Sequence, residues 1–276
     1  MSRYEDYEST ADNYDTTRVP VGLEQILTQL EEQRAHFSEL LLLDCGCGTG
    51  NYLRALGPHI DRGIGVDGSA SMLTQARAKL TQLSNIELRQ GSLTALPAEG
   101  ESVNVVLCTQ VLHHLDPPNA PNDFPTVRAV LGEFHRVLQP GGLLLINSSS
   151  HQQSIDGYWW ADLIPAAVQR CIHRLPDIQD LHSYLDALGF NIVHTTPVLD
   201  EVLQGQAYFD PTGPLQPQWR NGDSTWALAT EDELKEAKER VQSLQKEGKL
   251  QAYFDHRELL RAKIGQHTQT VARKRN

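Results

Sequence analysis

A glycine-rich turn directly after a short apolar run constrains this chain more than any other feature. The run is residues 40–43, four leucines, and the turn at residues 44–50 reads D-C-G-C-G-T-G. The length of the run and its flanks predict a buried strand of a parallel sheet. Glycines leaving such a strand let the backbone approach a ligand closely, and free N–H groups of the next helix can hold it. The turn therefore predicts a small-molecule site at the end of the first strand.

The acid at the start of this turn, Asp44, narrows the kind of ligand. The dinucleotide fingerprint G-x-G-x-x-G holds a pyrophosphate at a comparable turn, whereas this turn reads D-x-G-x-G-x-G. A carboxylate would repel a pyrophosphate but suits an ammonium group. The turn therefore favours a ligand with an amino-acid end over a nicotinamide dinucleotide.

Strand-like and helix-like segments alternate over the first 150 residues. A helix is predicted over 21–37, before the first strand. Further strands are predicted at 63–66, 86–90, 103–108 and 143–146, and the helices between them at 51–56, 69–83 and 127–138. This alternation predicts an α/β fold, a Rossmann-like doubly wound sheet with helices on both faces.

The pattern changes after residue 150. Within residues 151–180 a helix is predicted around 161–173, and residues 181–198 read as a further core helix and strand. Residues 199–265 are rich in Pro, Gly and aromatics at first and then form a charged helix at 231–247. Residues 266–276 are predicted to be the last core strand and a tail. The prediction is a core at 21–150 with two insertions, 151–180 and 199–265, that form a substrate cap.

Composition and charge limit the binding partners and the cellular compartment that we expect for this chain. The formal net charge is −11, so an acidic chain should repel a phosphate backbone and nucleic acid is not expected as a partner. No segment is apolar for about 18 residues, which predicts no membrane span, and the polar, acidic N-terminus predicts no secretory signal. We therefore expect a cytoplasmic protein. The sequence indicates no oligomeric state.

The cysteines do not form a recognisable set. They are Cys45, Cys47, Cys108 and Cys171. They lack the paired spacing of a disulfide scaffold or a zinc site, so no metal is predicted.

Residues at the ends of two further predicted strands indicate the remaining parts of the ligand. Asp67 ends the second strand, where a carboxylate can accept both hydroxyls of a ribose; a cap of the following helix is the alternative, and the two roles can coexist. Gly91 and Ser92 end the third strand, where an adenine edge would lie. An adenosine joined to a zwitterion is S-adenosylmethionine (SAM), which is therefore the predicted cofactor.

Five motifs in this order resemble those of the class I SAM-dependent methyltransferases, especially the small-molecule branch related to ubiquinone and menaquinone methyltransferases. They are residues 43–50, 65–67, 91–92, 111–115 (VLHHL) and 136–142 (RVLQPGG). The resemblance covers roughly residues 10–148. It implies a seven-stranded sheet whose last strand, about 267–273, is antiparallel.

The same resemblance implies a set of cofactor contacts. Residues expected at the methionine end are Asp44, Gly46, Cys47, Gly48 and Gly50. Those expected along the ribose and adenine are Asp67, Gly68, Met72, Gly91, Ser92 and Leu93. Many relatives carry Asp where this chain has Ser92. Residues 1–20 are expected to form a lid segment, with Tyr14 over the cofactor and Arg18 as the partner of a carboxylate; a plain surface turn is the alternative.

Residues after the fourth strand are the predicted reaction centre. Carboxyl ends of parallel strands face the ligand crevice, so Thr109 and Gln110 should lie near the donor sulfonium. His113 and His114 follow at the usual position of the substrate pocket in this family, and one of them could act as a general base. The alternative is that both histidines only orient the loop.

Aromatic residues concentrate in the two insertions. The predicted substrate contacts are Tyr158, Trp159, Trp160, Tyr208 and Trp219. Such rings could exclude water, shape a pocket or hold a cation. Equally, they could anchor the insertions to the core.

The sequence thus predicts an enzyme that transfers a methyl group from SAM to nitrogen or oxygen of a small-molecule acceptor, with a lean towards an amine. Three alternatives stay open. They are a nicotinamide-dependent dehydrogenase, a catalytically silent scaffold or regulator with this fold, and a methyltransferase acting on a protein or an RNA.

Overall fold

The computed structural model describes residues 15, 18–117 and 123–276 of the chain. Within these residues seven strands form a single sheet, in the order β3-β2-β1-β4-β5-β7-β6. The strands are β1 (Leu41–Cys45), β2 (Arg62–Asp67), β3 (Ile86–Gln90), β4 (Val103–Thr109), β5 (Leu138–Ser148), β6 (Phe190–Val198) and β7 (His267–Lys274).

Strand β7 distinguishes this sheet from an all-parallel one. The pairs formed by β1 to β5 are parallel. Strand β7 lies between β5 and β6 and is antiparallel to both. The predicted α/β fold, with seven strands and an antiparallel last strand, is therefore confirmed.

Helices cover both faces of the sheet. The helices of the described residues are α1 (Leu23–Arg34), α2 (Asn51–Leu56), α3 (Ala70–Lys79), α4 (Pro125–Val137), α5 (His151–Asp156), α6 (Pro165–Ile172), α7 (Ile178–Ala187), α8 (Pro217–Arg220), α9 (Ser224–Ala227), α10 (Glu231–Lys246) and α11 (Leu250–Ile264). Helices α1, α2 and α3 share one hydrophobic cluster with the sheet, and α4 and α7 share another on its opposite face. None of these helices is long and apolar enough to cross a membrane.

The predicted boundaries differ from the structure at several places. Helix α1 ends at Arg34 and α3 at Lys79, both earlier than predicted. The single helix expected over 161–173 is divided into a 3-10 turn, Ala161–Leu163, and α6. Pro165 causes the break, because proline lacks an N–H and fits only the first turn of a helix. Helix α11 was not predicted at all.

A third hydrophobic cluster joins the two insertions. It includes side chains from residues 159–172 and from residues 202–254. Two segments that are distant in sequence therefore pack as one layer, which we call the cap. The cap is built around indole rings, since Trp160 lies 5.4 Å from Trp226 and Trp159 lies 6.0 Å from Trp219, between ring centroids.

Candidate functional site

The glycine-rich turn leaves β1 at the carboxyl edge of the sheet. The amides of Gly46 and Cys47 donate to the carbonyl oxygen of Val66, which ties the turn to the end of β2. Gly46 and Gly50 have φ angles of 80° and 78°. That region of backbone space favours glycine, because other residues meet a steric penalty there. The spacing of the glycines is thus required by the path of the turn.

Asp67 holds the turn from the end of β2. Its carboxylate accepts hydrogen bonds from the amide of Gly48 (2.9 Å) and from that of Ser69 (2.8 Å). Burial raises the pKa of this carboxyl above its ordinary value. Ser69, rather than Asp67, provides the side-chain cap of α3, by accepting from the amide of Met72.

A cavity of about 610 Å³ lies over this edge. It brings together ten of the predicted cofactor residues: Gly46, Gly48, Asp67, Gly68, Met72, Gly91, Ser92, Leu93, Thr109 and Gln110. The volume falls within the range that small-molecule cofactors occupy. A Cβ added to Gly48 would meet no atom within 4 Å, so the backbone here borders open space. The cavity is open along the ends of β1, β2, β3 and β4.

The other predicted cofactor residues lie elsewhere. Cys47 and Arg18 border a second cavity described below. Gly50 is the N-terminal cap position of α2 and packs against Leu80. Asp44 borders neither cavity. Tyr14 lies outside the described residues.

Asp44 is a buried carboxyl group beneath the turn. Its side chain is 1% exposed, and neither carboxylate oxygen has a hydrogen-bond partner among the described residues. Burial raises the pKa of Asp44 to about 8, and the nearby charge of Asp67 adds to the effect. A buried carboxylate without a partner is costly, so a cation bound above the turn would relieve it. The carboxyl groups of Asp44 and Asp67 therefore fit the ammonium group and the ribose hydroxyls of SAM, respectively.

A smaller cavity of about 110 Å³ adjoins the first. The residues that border both are Gly46, Gly48, Thr109, Gln110 and His114. The smaller cavity extends from there to the cap, where Tyr158 and Ser224 border it. Two cavities that meet at a common wall can hold a donor and an acceptor in contact.

Gln110 marks this junction by its backbone. Its φ angle is 55°, a left-handed value that is unusual for a residue with a side chain. Its amide donates to the carbonyl oxygen of Asn147 over 2.9 Å, which ties the end of β4 to the end of β5. Such strained positions concentrate at functional sites.

His113 and His114 lie beside this junction, with ring centroids 4.0 Å apart and ring planes tilted by 44°. Burial lowers the pKa of His113 well below its ordinary value, and His114 adds to this. Burial also lowers the pKa of His114 to about 3, with a contribution from Arg174. Both rings are therefore neutral near pH 7, and they can accept or donate a hydrogen bond without carrying charge.

The N-terminal segment connects the sheet to the cap. Arg18 is buried; its guanidinium donates to the carbonyl oxygen of Gly222 (2.6 Å) and pairs with Asp223 (3.1 Å). Closer to the glycine turn, Asp15 pairs with Lys79 over 2.6 Å and accepts from the hydroxyl of Thr49. The expected carboxylate partner of Arg18 is thus supplied by the cap in this structure.

The predicted substrate aromatics separate into two groups. Tyr158 borders the smaller cavity, and its hydroxyl lies 3.0 Å from Nε2 of His267. Trp159, Trp160, Tyr208 and Trp219 border neither cavity and are buried in the cap cluster. The Trp159 indole N–H donates to the carbonyl oxygen of Tyr208. These four rings anchor the cap, which was the alternative explanation for them.

Several residues at the smaller cavity carry no recognisable sequence signal. They are Ser149, Ser154, Cys171, Asp223, Ser224 and Thr225. Asp223 caps α9 by accepting from the amides of Thr225 and Trp226. An Asp before a short helix is an ordinary cap signature, so it could have indicated the helix but not the site. In the part of the chain described here, no group of three His, Cys, Asp or Glu side chains could hold a metal ion.

Comparison with known proteins supports the predicted class. Residues 43–146, less than half of the chain, match the methyltransferase domain family. This match agrees with the class I SAM-dependent methyltransferase and with the SAM cofactor that the sequence predicted.

Individual relatives agree with this assignment. The chain is 31% identical over 164 residues to an arsenite methyltransferase of Halobacterium salinarum, covering 56% of this chain and 38% of that protein. It is 31% identical over 154 residues to a demethylmenaquinone methyltransferase of Lactococcus lactis, covering 52% and 57%. The chain thus spans less than two thirds of the length of either relative.

Among solved structures, a putative methyltransferase from an antibiotic biosynthesis pathway of Anabaena variabilis has a similar fold. The TM-score is 0.72 at 19% identity, covering 94% of this chain and 99% of the other. At that identity the likeness concerns the fold, and it extends over the cap as well as the sheet.

Proposed function

We propose that this protein transfers the methyl group of SAM to a nitrogen or oxygen atom of a small-molecule acceptor. The observation that carries the proposal is the shared wall of the two cavities, because in-line displacement needs donor and acceptor to touch. The relatives act, by their names, on demethylmenaquinone and on arsenite, which are both small molecules. The net charge of −11 also argues against a nucleic-acid acceptor.

The larger cavity is the proposed SAM site. Asp67 would accept the ribose hydroxyls, and Met72 with Leu93 would border the adenine. Asp44 would stabilise the ammonium group by its charge acting across the glycine turn. When bound, SAM supplies a methyl group that its sulfonium has already activated.

The smaller cavity is the proposed acceptor site. His113 or His114 would accept a hydrogen bond from the acceptor's N–H or O–H and so orient its lone pair towards the junction. A histidine with a strongly lowered pKa is a weak proton acceptor, so this role is orientation rather than full deprotonation. Tyr158 would border the acceptor on the cap side.

The acceptor should react in its uncharged form. Most of the aromatic side chains expected to cradle a cation lie inside the cap, and Arg18 and Arg174 both lower the pKa of the two histidines. The same positive surroundings would lower the pKa of a bound ammonium and deliver the neutral amine. A neutral amine or a hydroxyl therefore fits this cavity better than a permanent cation.

Calorimetric titration tests the donor half of the proposal. SAM and its demethylated product, S-adenosylhomocysteine, should bind the wild-type protein, and Asp67→Ala should abolish or strongly weaken both. The matched control is Asp255→Ala, since Asp255 is exposed on α11 and contacts Gln251. Absence of SAM binding by the folded wild-type protein would refute the proposal.

An acceptor screen tests the other half. Release of S-adenosylhomocysteine should be measured with small amines, phenols and other alcohols, with arsenite as an inorganic comparison. Turnover with an amine or hydroxyl compound supports the proposal. Tight SAM binding with turnover on none of them would favour a silent scaffold instead.

A further inference from the structure

The ammonium group of Lys79 lies within a polar cluster beside the glycine turn. Its Nζ lies 2.6 Å from the carboxylate of Asp15, and it donates to Oγ1 of Thr49 over 2.9 Å and to Oδ1 of Asn51 over 2.5 Å. An ammonium group has three N–H donors, which can serve all three contacts. Because the side chain of Lys79 is only 12% exposed, these contacts are largely shielded from water.

The contact with Lys79 decides which way the side-chain amide of Asn51 points. An ammonium group can only donate, so it selects the oxygen of the amide. The amide nitrogen then donates to the carbonyl oxygen of Arg18 (3.0 Å) and to the carboxylate of Asp15 (3.0 Å). A flipped amide would present N–H groups to the ammonium and its oxygen to the two acceptors, and would lose all three contacts. Lys79 therefore holds the backbone of Arg18 through Asn51.

Arg18 continues this link from the sheet to the cap. Its guanidinium donates to the carboxylate of Asp223 over 3.1 Å. Asp223 belongs to residues 222–225, which we call the cap turn and which all border the smaller cavity. Within the cap turn, Oγ of Ser224 lies 3.0 Å from Nε2 of His113. A displacement of the Arg18 backbone would therefore move part of the wall of the proposed acceptor site.

The polar cluster lies on the side of the smaller cavity. Thr49 and Asn51 border the smaller cavity but not the larger one, and Lys79 borders neither. Any influence of Lys79 on the reaction must therefore pass through the residues that it holds. Hydrogen bonds from a charged donor are about twice as strong as those between neutral groups, so the ammonium contributes more to this link than a neutral side chain would.

We propose that Lys79 is a positioning residue for the acceptor site, and that it acts on the cap turn through the amide of Asn51 and the backbone of Arg18. The inference rests on the proposed function in one respect, namely that the smaller cavity receives the acceptor. Lys79 itself touches neither the acceptor nor SAM. Its role is to keep the wall of the smaller cavity in place before the acceptor arrives, which avoids reorganisation during the reaction.

Hydrogen–deuterium exchange of the full-length protein, followed by mass spectrometry, tests this proposal without any acceptor. Lys79→Met removes the ammonium group and keeps a long unbranched side chain. We expect about tenfold faster exchange in the peptides that contain the amides of Val19, Thr225 and Trp226, for the loss of one charge-assisted hydrogen bond. These three amides are hydrogen-bonded in the wild type. Exchange in strand β4 should stay unchanged.

Two further variants separate this link from general stability. Lys249→Met removes an exposed ammonium group that pairs with Glu247, and it should leave exchange at these amides unchanged. Asn51→Asp keeps one oxygen for Lys79 but turns a second oxygen, in place of the N–H groups, towards the carbonyl of Arg18. Asn51→Asp should therefore also accelerate exchange in the cap turn, and it provides the test if Lys79→Met does not fold.

The result that overturns the proposal is wild-type exchange at the cap turn in a folded Lys79→Met protein. Equal acceleration in strand β4 would overturn it as well, because the effect would then be a loss of global stability. Since exchange needs no turnover, the test remains readable if the acceptor screen fails. With an acceptor in hand, Lys79→Met should raise the KM for the acceptor about tenfold and leave the Kd for SAM unchanged. An equal loss of SAM affinity would contradict the proposal, because Lys79 would then support the glycine turn as a whole.

Discussion

Replacing Asp44 by Asn should stabilise the free protein at neutral pH, although it removes a residue proposed to bind the cofactor. The carboxyl is buried and neither of its oxygens has a hydrogen-bond partner among the described residues. Its pKa is raised from 3.8 to about 8. An amide of the same shape cannot ionise, so the variant does not lose free energy of unfolding as pH rises, whereas the wild type does.

The magnitude follows from proton linkage. Below pH 3.8 the carboxyl is protonated in both the folded and the unfolded chain, so the stability that its high folded pKa contributes is fully present. As pH rises towards about 8, the unfolded chain ionises while the folded chain keeps the proton, and stability falls by about 1.4 kcal/mol per pH unit. At pH 7 the loss amounts to about 4 kcal/mol. Asp44→Asn should lack this loss.

Urea unfolding at pH 4, 5.5, 7 and 8 measures the effect. The free energy of unfolding of Asp44→Asn should exceed that of the wild type by an amount that grows with pH. Parallel pH dependences for the two proteins would refute the reasoning, whatever their absolute difference.

Asp61→Asn provides a control of opposite sign. The pKa of Asp61 is lowered, chiefly by the backbone N–H of Leu40 and further by Arg34. Its contribution to stability is present above the unfolded pKa and is lost as pH falls. Asp61→Asn should therefore lower stability at neutral pH, and the deficit should shrink in acid.

Three further outcomes are expected. Gly48→Ala places a methyl group in the open space beside the larger cavity, where it would meet the bound cofactor, and should weaken SAM binding about tenfold by calorimetry, a loss of about 1.4 kcal/mol in binding free energy. Trp226→Ala empties part of the cap and should cost about 3–5 kcal/mol of unfolding free energy in urea. Since the pKa of His114 is about 3, the pH–rate profile should show no histidine titration between pH 5 and 8.

A specific experimental result would contradict each of these expectations. Equal SAM affinities of Gly48→Ala and wild type would show that the backbone there does not approach the cofactor. A Trp226→Ala protein as stable as the wild type would mean that the cap unfolds separately from the sheet. A rate limb near pH 6.5 would show that a histidine of ordinary pKa governs turnover.

The sheet and the cofactor edge were predictable because both leave short-range signals. Strand β4 is buried along its whole length, and such strands read as continuous apolar runs. The glycine turn was predictable because its positive φ angles favour glycine, which leaves a recognisable pattern in the sequence. Helix α11 escaped prediction because its apolar positions do not follow a clear helical stripe; Phe254 is buried while Leu259 is 64% exposed.

Apart from His113, His114 and Tyr158, the lining of the smaller cavity on the cap side could not be predicted, because it is assembled from distant segments. Ser224 reaches the histidines only through the packing of Trp226 in the cap, and nothing within its own neighbourhood distinguishes it from other serines. For the tryptophans, the sequence predicted substrate contacts, whereas in the structure their rings pack inside the cap. Their composition suggested a pocket wall, but a small layer of short helices needs large rings to bury enough area to be stable.

The described N-terminal residues link the cap, which supplies part of the wall of the smaller cavity, to the edge of the sheet. Asp15 is bound beside the glycine turn through Lys79, Arg18 is bound to the cap through Asp223, and the amide of Val19 donates to the carbonyl of Leu203. Asp15, Arg18 and Val19 thus fasten the cap to the edge of the sheet, and Arg18 and Val19 border the smaller cavity. Because methyl transfer depends on contact and exclusion of water, we expect the indole-rich core of the cap to act on the proposed reaction by holding these links rigid. Residues that never touch the acceptor would then control turnover through the geometry they maintain.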